Sequence, residues 1–276
     1  MKKIGFIDFY LSEWHANNYP AWIREICARD GLDYEIAYAW AETDVSPRDG
    51  KTSEEWCREN GVTLCATVEE LCEKSDVLLI LAPSDPEKHL QYARVALTYG
   101  KPTYIDKTFS PNYAEAVEIF ALAERYGAPC FSTSALRYAS ELDALAGARN
   151  VITTGGGRSA DEYIVHQIEM IVKLMGTDAV SVKAEAQGDQ RIYRIRYANG
   201  GEATAIYDSS MPFAVTAETA SGAKTSAINS SFFNVLMEKI LCFYETGKTD
   251  FDRSETLAVM KLREAVLGAG EAWKAL

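Results

Sequence analysis

Two regimes of hydrophobic spacing divide the chain. In the first half, short apolar runs at 3–7, 34–39, 77–82, 103–105 and 130–132 alternate with stretches of helical spacing at 20–29, 53–60, 68–74, 87–99 and 111–126. That alternation predicts βαβ units, with a parallel sheet covered by helices on both faces. The last of these helices is well punctuated: Ser110 suits an N-cap, Pro111 the first turn and Gly127 a left-handed C-cap.

From residue 135 onward the period changes. A helical pattern at 159–175 is followed by alternating apolar and polar positions at 180–187, 191–198, 202–208, 213–219 and 224–228. Turn sequences such as Ala198-Asn199-Gly200-Gly201 and Ser221-Gly222 separate them, which predicts an antiparallel meander. Two amphipathic helices, 232–246 and 254–274, close the chain. The expected fold is α/β: a doubly wound parallel sheet over 1–134, then an α+β domain with a largely antiparallel open sheet over 135–276.

Composition fits that picture and narrows the partners. With 276 residues, 47% hydrophobic and 25% charged, the chain can bury a core without staples and is not disordered, collagenous or coiled-coil. A net charge of −12 repels phosphate backbones and anionic membranes, so neither nucleic acid nor a membrane is an expected partner. Val77-Leu78-Leu79-Ile80-Leu81-Ala82, the longest apolar run, is far short of the ~20 residues of a membrane span. The six cysteines show no metal-ligand spacing, and the N-terminus runs into a strand rather than a secretion signal. Reduced thiols in a cytoplasmic protein, with no metal, are the expectation.

Ligands of an open parallel sheet bind beyond the carboxyl ends of its strands. Asp8 to His15, Pro83-Ser84-Asp85 and Asp106-Lys107-Thr108 fall there. An ammonium group at Lys107 could hydrogen-bond a substrate hydroxyl or carbonyl, or be no more than a solvated lysine at a strand end. Glu162 and His166, four residues apart, share a helix face. Such a pair suits His166 to general acid/base work, although Ser159-x-x-Glu162 also reads as a capping box.

These residues carry a resemblance. The run Pro83-Ser84-Asp85-Pro86-Glu87-Lys88-His89, then Gly100-Lys101-Pro102 and Asp106-Lys107-Thr108, is similar to the Gfo/Idh/MocA oxidoreductases, where Pro-Asn and His precede a helix, Gly-Lys and Glu-Lys-Pro. Leu136-Arg137-Tyr138 resembles that family's Arg-aromatic segment, and Glu162-x-x-x-His166-x-Ile168-Glu169, ending at Leu174-Met175-Gly176, its Asp-x-Gly-x-His helix. The C-terminal Phe243-Tyr244-Glu245-Thr246-Gly247-Lys248 fits as well. The resemblance implies a Rossmann-type domain and hydride transfer between NAD or NADP and a sugar, polyol or related hydroxy compound. Lys107 would then position the substrate oxygen, His166 serve as general acid/base, and Glu162 orient substrate or His166. Asp106 for Glu, Thr108 for Pro and Glu162 for Asp depart from the family pattern.

On the same resemblance, Asp8, Tyr10, Glu42, Pro83 and His89 would border the dinucleotide, with Glu42 on the adenosine ribose favouring NAD over NADP. One departure is large. Where dinucleotide-binding turns carry G-x-G-x-x-G, this chain has Asp8-Phe9-Tyr10-Leu11-Ser12-Glu13, with no glycine between Gly5 and Gly31. Each carboxylate at ~4 Å from a phosphate would cost about 4 kcal/mol before screening. A non-redox relative, acting as a ligand-binding or regulatory protein, is therefore the alternative, and a lyase or isomerase a third. The open sheet, carrying Tyr193, Ile195, Tyr197 and Ile206, needs a cover, which predicts a homodimer or homotetramer.

Overall fold

The computed structural model describes residues 1–220 and 222–276. They form two compact units, Met1–Ser132 with Leu236–Asp250, and Thr133–Val235 with Phe251–Leu276. The chain leaves the first unit after Ser132 and returns to it at Leu236.

In the first unit, β1 (Lys2–Asp8), β2 (Tyr34–Ala41), β3 (Thr63–Leu64), β4 (Val77–Ile80), β5 (Thr103–Ile105) and β6 (Cys130–Phe131) form one sheet in the order β3-β2-β1-β4-β5-β6. Every pairing is parallel. Ile4, Phe6 and Ile7 on β1 and all of β4 are buried, the signature of a sheet covered on both faces. The strand order reverses between β1 and β4, so the carboxyl ends of these two strands open the crevice where such sheets bind ligands.

The covering helices are α1 (Trp14–Asp30), α2 (Ser53–Asn60), α3 (Val68–Lys74), α4 (His89–Ala96) and α5 (Tyr113–Tyr126). A β-carbon on Gly5 would lie 2.3 Å from Ser75 Oγ and 2.6 Å from Leu71 Cδ2, so glycine is what lets α3 press against β1. α1 begins six residues before the expected start at Pro20, which lies inside it. Proline suits a first turn, whereas the true cap, Glu13, is outside the usual capping set. α5 starts at Tyr113 because Asn112, not Ser110, accepts the Glu115 N–H, at 2.9 Å; Gly127, at φ 63°, ends it as expected.

The second unit holds β7 (Asn150–Gly155), α6 (Ala160–Met175), β8 (Ala179–Gln187), β9 (Gln190–Tyr197), β10 (Glu202–Tyr207), β11 (Ala214–Thr219) and β12 (Gly222–Ala227). α7 (Phe232–Thr246), α8 (Arg253–Leu267) and β13 (Lys274–Ala275) follow. The sheet runs β12-β11-β7-β10-β9-β8-β13. It is mixed rather than a plain meander: β7, unforeseen in the periodicity, lies centrally and pairs parallel with β10 and antiparallel with β11. α8 is shorter than expected and ends at Leu267, which frees the tail to pair with β8 as β13. Of the expected turns, 198–201 joins β9 to β10, while Ser221 lies outside the described residues. Tyr193, Ile195 and Tyr197 are buried, and among the described residues the exposed large hydrophobic side chains of the sheet are Ile152 and Val180. No helix among the described residues is long and apolar enough to cross a membrane.

α7 from Leu236 onward packs in the first unit. Tyr244 donates to the Leu78 carbonyl at 2.8 Å, the Phe243 and Phe131 rings lie 4.6 Å apart, and Glu238 and Glu245 pair with Arg29 and Lys2.

Candidate active site

The crevice between β1 and β4 is bridged by Asp8, the last residue of β1. Its Oδ1 accepts the N–H of Phe9 at 2.7 Å and of Ala82 at 3.0 Å, joining the two strand ends, while Oδ2 is buried with no hydrogen-bond partner. Burial, then the Glu13 charge, pushes the Asp8 carboxyl well above the ordinary range, against the pull of the two N–H groups.

Glu13 caps α1 with its own side chain. Oε2 accepts the His15 N–H at 2.7 Å and lies 3.2 Å from His15 Nδ1, and Oε1 accepts the Ala16 N–H. The turn before it is anchored, with Leu11 and Ser12 buried, Ser12 Oγ donating to Asp49 at 2.7 Å and Ser46 Oγ donating to the Ser12 carbonyl at 2.9 Å. A dinucleotide diphosphate in its usual pose at a helix N-terminus would require the same N–H groups, so it does not fit this arrangement.

Lys107 follows β5. Its Nζ donates to the Pro83 carbonyl at 2.9 Å and lies 3.7 Å from Asp106 Oδ2; the Lys107–Thr108 peptide is cis. Asp106 is buried, accepting from Tyr104 at 3.2 Å and Tyr19 at 3.4 Å on Oδ1, with His15 Nε2 3.7 Å from Oδ2. Glu13, His15, Asp106 and Lys107 therefore form one continuous polar chain beneath the crevice. Burial, reinforced by the Asp106 charge, holds the Tyr19 phenol well above its ordinary range, so it stays a donor.

The other expected cofactor contacts lie around the same strand ends. Glu42, just past β2, accepts from Tyr92 at 2.8 Å and pairs with Lys88, whose Nζ stands 5.1 Å over the Phe9 ring. Burial raises the Glu42 carboxyl, but the Lys88 and Tyr92 hydrogen bonds outweigh it and hold it below the ordinary range. Tyr10 packs edge-on against Phe9, with centroids 6.0 Å apart. His89 opens α4 fully buried, Nε2 2.6 Å from the Leu81 carbonyl oxygen and Nδ1 3.2 Å from that of Phe109, and burial lowers its pKa. It ties the loops after β4 and β5 together.

His166 and Glu162 belong to the second unit, on α6. Ser134 Oγ lies 2.7 Å from His166 Nδ1, and the rings of Tyr163 and Phe213 stand 5.7 and 5.5 Å from the imidazole. Ser159 caps α6 by accepting the Glu162 N–H at 3.2 Å, while the Glu162 carboxylate pairs with Arg158 one turn back. One turn beyond His166, Glu169 is buried and accepts from Thr133 and Arg137, both at 2.8 Å; Arg137 also pairs with Glu255 and covers the Phe251 ring at 4.0 Å. Ser134 and Tyr19 carry no sequence signal, because each meets its partner only through tertiary packing, across 32 and 87 residues.

Residues 35–134 match the model of the Gfo/Idh/MocA family, described as an oxidoreductase family with an NAD-binding Rossmann fold. The match begins after β1 and the turn into α1, the segment that lacks the glycines. The uncharacterized oxidoreductase YhhX of Escherichia coli is 29% identical over 89 residues, which is 32% of this chain and about a quarter, 26%, of that relative. Among solved structures, a myo-inositol dehydrogenase from Corynebacterium glutamicum superposes with a TM-score of 0.78 at 12% identity, covering 100% of this chain and 98% of that one. The UDP-N-acetylglucosamine 3-dehydrogenase GnnA from Acidithiobacillus ferrooxidans does so with a TM-score of 0.75 at 13% identity, covering 97% of each chain. At these identities the structural likeness speaks for the fold. Over residues 35–134, the chain is similar to the Gfo/Idh/MocA oxidoreductase family.

Proposed function

We propose that the protein is an NAD- or NADP-dependent oxidoreductase acting on a sugar, polyol or related hydroxy compound. The observation that carries this reading is Lys107, with its side chain only 13% exposed, set at a strand end with its ammonium steered by the Pro83 carbonyl and Asp106. An ammonium so held can donate to a substrate oxygen and polarise its bond to carbon. His166, its ring fixed through Nδ1 by Ser134, is suited to exchange the hydroxyl proton, and Glu162 to orient substrate. Glu42, an acceptor beyond β2, supports NAD over NADP. The six free cysteines accord with a cytoplasmic setting, and exposed Ile152 and Val180 with a homodimer or homotetramer formed through the open sheet.

The test is a screen of polyols and sugar acids with NAD and NADP, followed by Lys107→Ala and His166→Ala. Turnover in the wild type that both variants lose by about a hundredfold or more, with unchanged melting temperature, is the expected result. No turnover on any hydroxy compound would sink the reading. A second reading, a ligand-binding relative without redox chemistry, is favoured by one observation, the Glu13 carboxylate on the α1 N-terminus.

A further inference from the structure

We infer that Glu13 is an internal anion that closes the diphosphate subsite of this nucleotide fold, making it the residue that sets the chain's discrimination against diphosphate-bridged ligands. The inference rests on the proposed dinucleotide dependence in this sense: a dinucleotide received here would be held through its nucleoside ends, its diphosphate gaining nothing from the α1 N-terminus.

Two sources of backbone N–H groups normally cradle a diphosphate, the turn after the first strand and the first turn of the following helix. In this chain both are already answered by carboxylates of its own. Asp8 takes the Phe9 N–H of the turn, and Glu13 takes the His15 and Ala16 N–H groups of α1. Glu13 is 4% exposed, and its second oxygen also meets the His15 ring, so it sits as a packed member of the site. α1 runs for 17 residues, long enough for its N-terminus to attract an anion, and the attraction is spent within the chain. The turn cannot easily step aside, because Ser12 is tied at both its hydroxyl and its carbonyl to the loop carrying Ser46 and Asp49. A diphosphate entering here must displace a buried carboxylate and bear its repulsion.

The test compares ADP-ribose, which carries the diphosphate without the nicotinamide, with adenosine, which lacks it. Calorimetric titration of the full chain is run for the wild type, Glu13→Gln and Glu13→Gly. In the wild type ADP-ribose should bind no tighter than adenosine. In Glu13→Gly, with the N–H groups freed, ADP-ribose should tighten by about tenfold or more while adenosine is unchanged. Glu13→Gln, which keeps an acceptor on the helix and removes the charge, should gain less, and it carries the test if the glycine variant fails to fold. Wild-type affinity for ADP-ribose about tenfold above that for adenosine would overturn the inference, as would folded variants that bind ADP-ribose no tighter than the wild type does. Wild-type turnover of a polyol with no effect of Glu13 on ADP-ribose keeps the proposed function and loses this inference. Tightening in the variants with no turnover does the reverse.

Discussion

The hydroxyl of Ser134 and Nδ1 of His166, 32 residues apart in the chain, lie 2.7 Å from each other. That contact sets the imidazole's orientation, and Ser134 thereby acts as a positioning residue. Ser134→Ala is expected to lower kcat roughly tenfold and to shift the acid limb of the pH profile, with KM little changed. Ser134→Thr, which restores the hydroxyl, should recover most of the loss. Because Ser134 also caps the turn Ala135–Tyr138, the alanine variant should lose about 1 kcal/mol of stability as well. A melting shift without any change in the pH profile would reduce Ser134 to that cap.

Asp8 should write a pH dependence into stability. Its folded-state pKa lies above the ordinary aspartate value of 3.8, so below that value both folded and unfolded chains hold the proton. As pH rises from there toward the raised value, the unfolded chain gives up its proton first, and the folded state loses about 1.4 kcal/mol per pH unit across that window. Asp8→Asn removes this loss. The variant should therefore gain stability relative to the wild type as pH rises above the ordinary aspartate value, read from urea midpoints. Parallel pH responses of the two proteins would refute a raised Asp8 carboxyl.

Arg137 and Glu169 form a buried pair, 5% and 3% exposed. Removing one partner strands the other, so Arg137→Met should cost about 3–5 kcal/mol. Adding Glu169→Gln should return part of that loss, since a neutral amide no longer needs a counter-charge. Additive losses in the double-mutant cycle would show that the two side chains act independently.

Gly5 is a packing constraint. An alanine there meets Ser75 and Leu71 at less than contact distance, and Gly5→Ala should destabilise by about 1–3 kcal/mol in urea. Ser75→Ala in the same chain should relieve a share of it. A neutral Gly5→Ala would mean that α3 is free to move away from β1.

Patterns local in sequence were the readable ones. Apolar runs marked β1, β4 and β5, helical spacing marked α2 and α3 to the residue, and Gly127 marked the end of α5. The start of α1 was misread because Glu13 is an uncommon cap and Pro20 imitates a first turn. β7 was missed although Val151, Ile152, Thr153 and Thr154 are all β-branched, because it stands apart from the meander, ahead of α6. Lys107 in the first unit and His166 in the second were visible as motif positions. Of their immediate partners, Asp106 and Pro83 were named with them, but Ser134 was not, since its contact with His166 spans 32 residues and depends on tertiary packing.

The return of Leu236–Asp250 to the first unit has a consequence for synthesis. A ribosome delivers all six strands of the parallel sheet long before the helix segment that covers part of it. Until then the carbonyl of Leu78 lacks the Tyr244 hydroxyl and the Phe131 ring lacks that of Phe243. The nascent first unit therefore waits, with an apolar face uncovered, while the whole mixed sheet of the second unit is translated. Maturation of the first unit is thereby tied to synthesis of the chain as far as Asp250, and a fragment cut after Ser132 would leave that face open to aggregation.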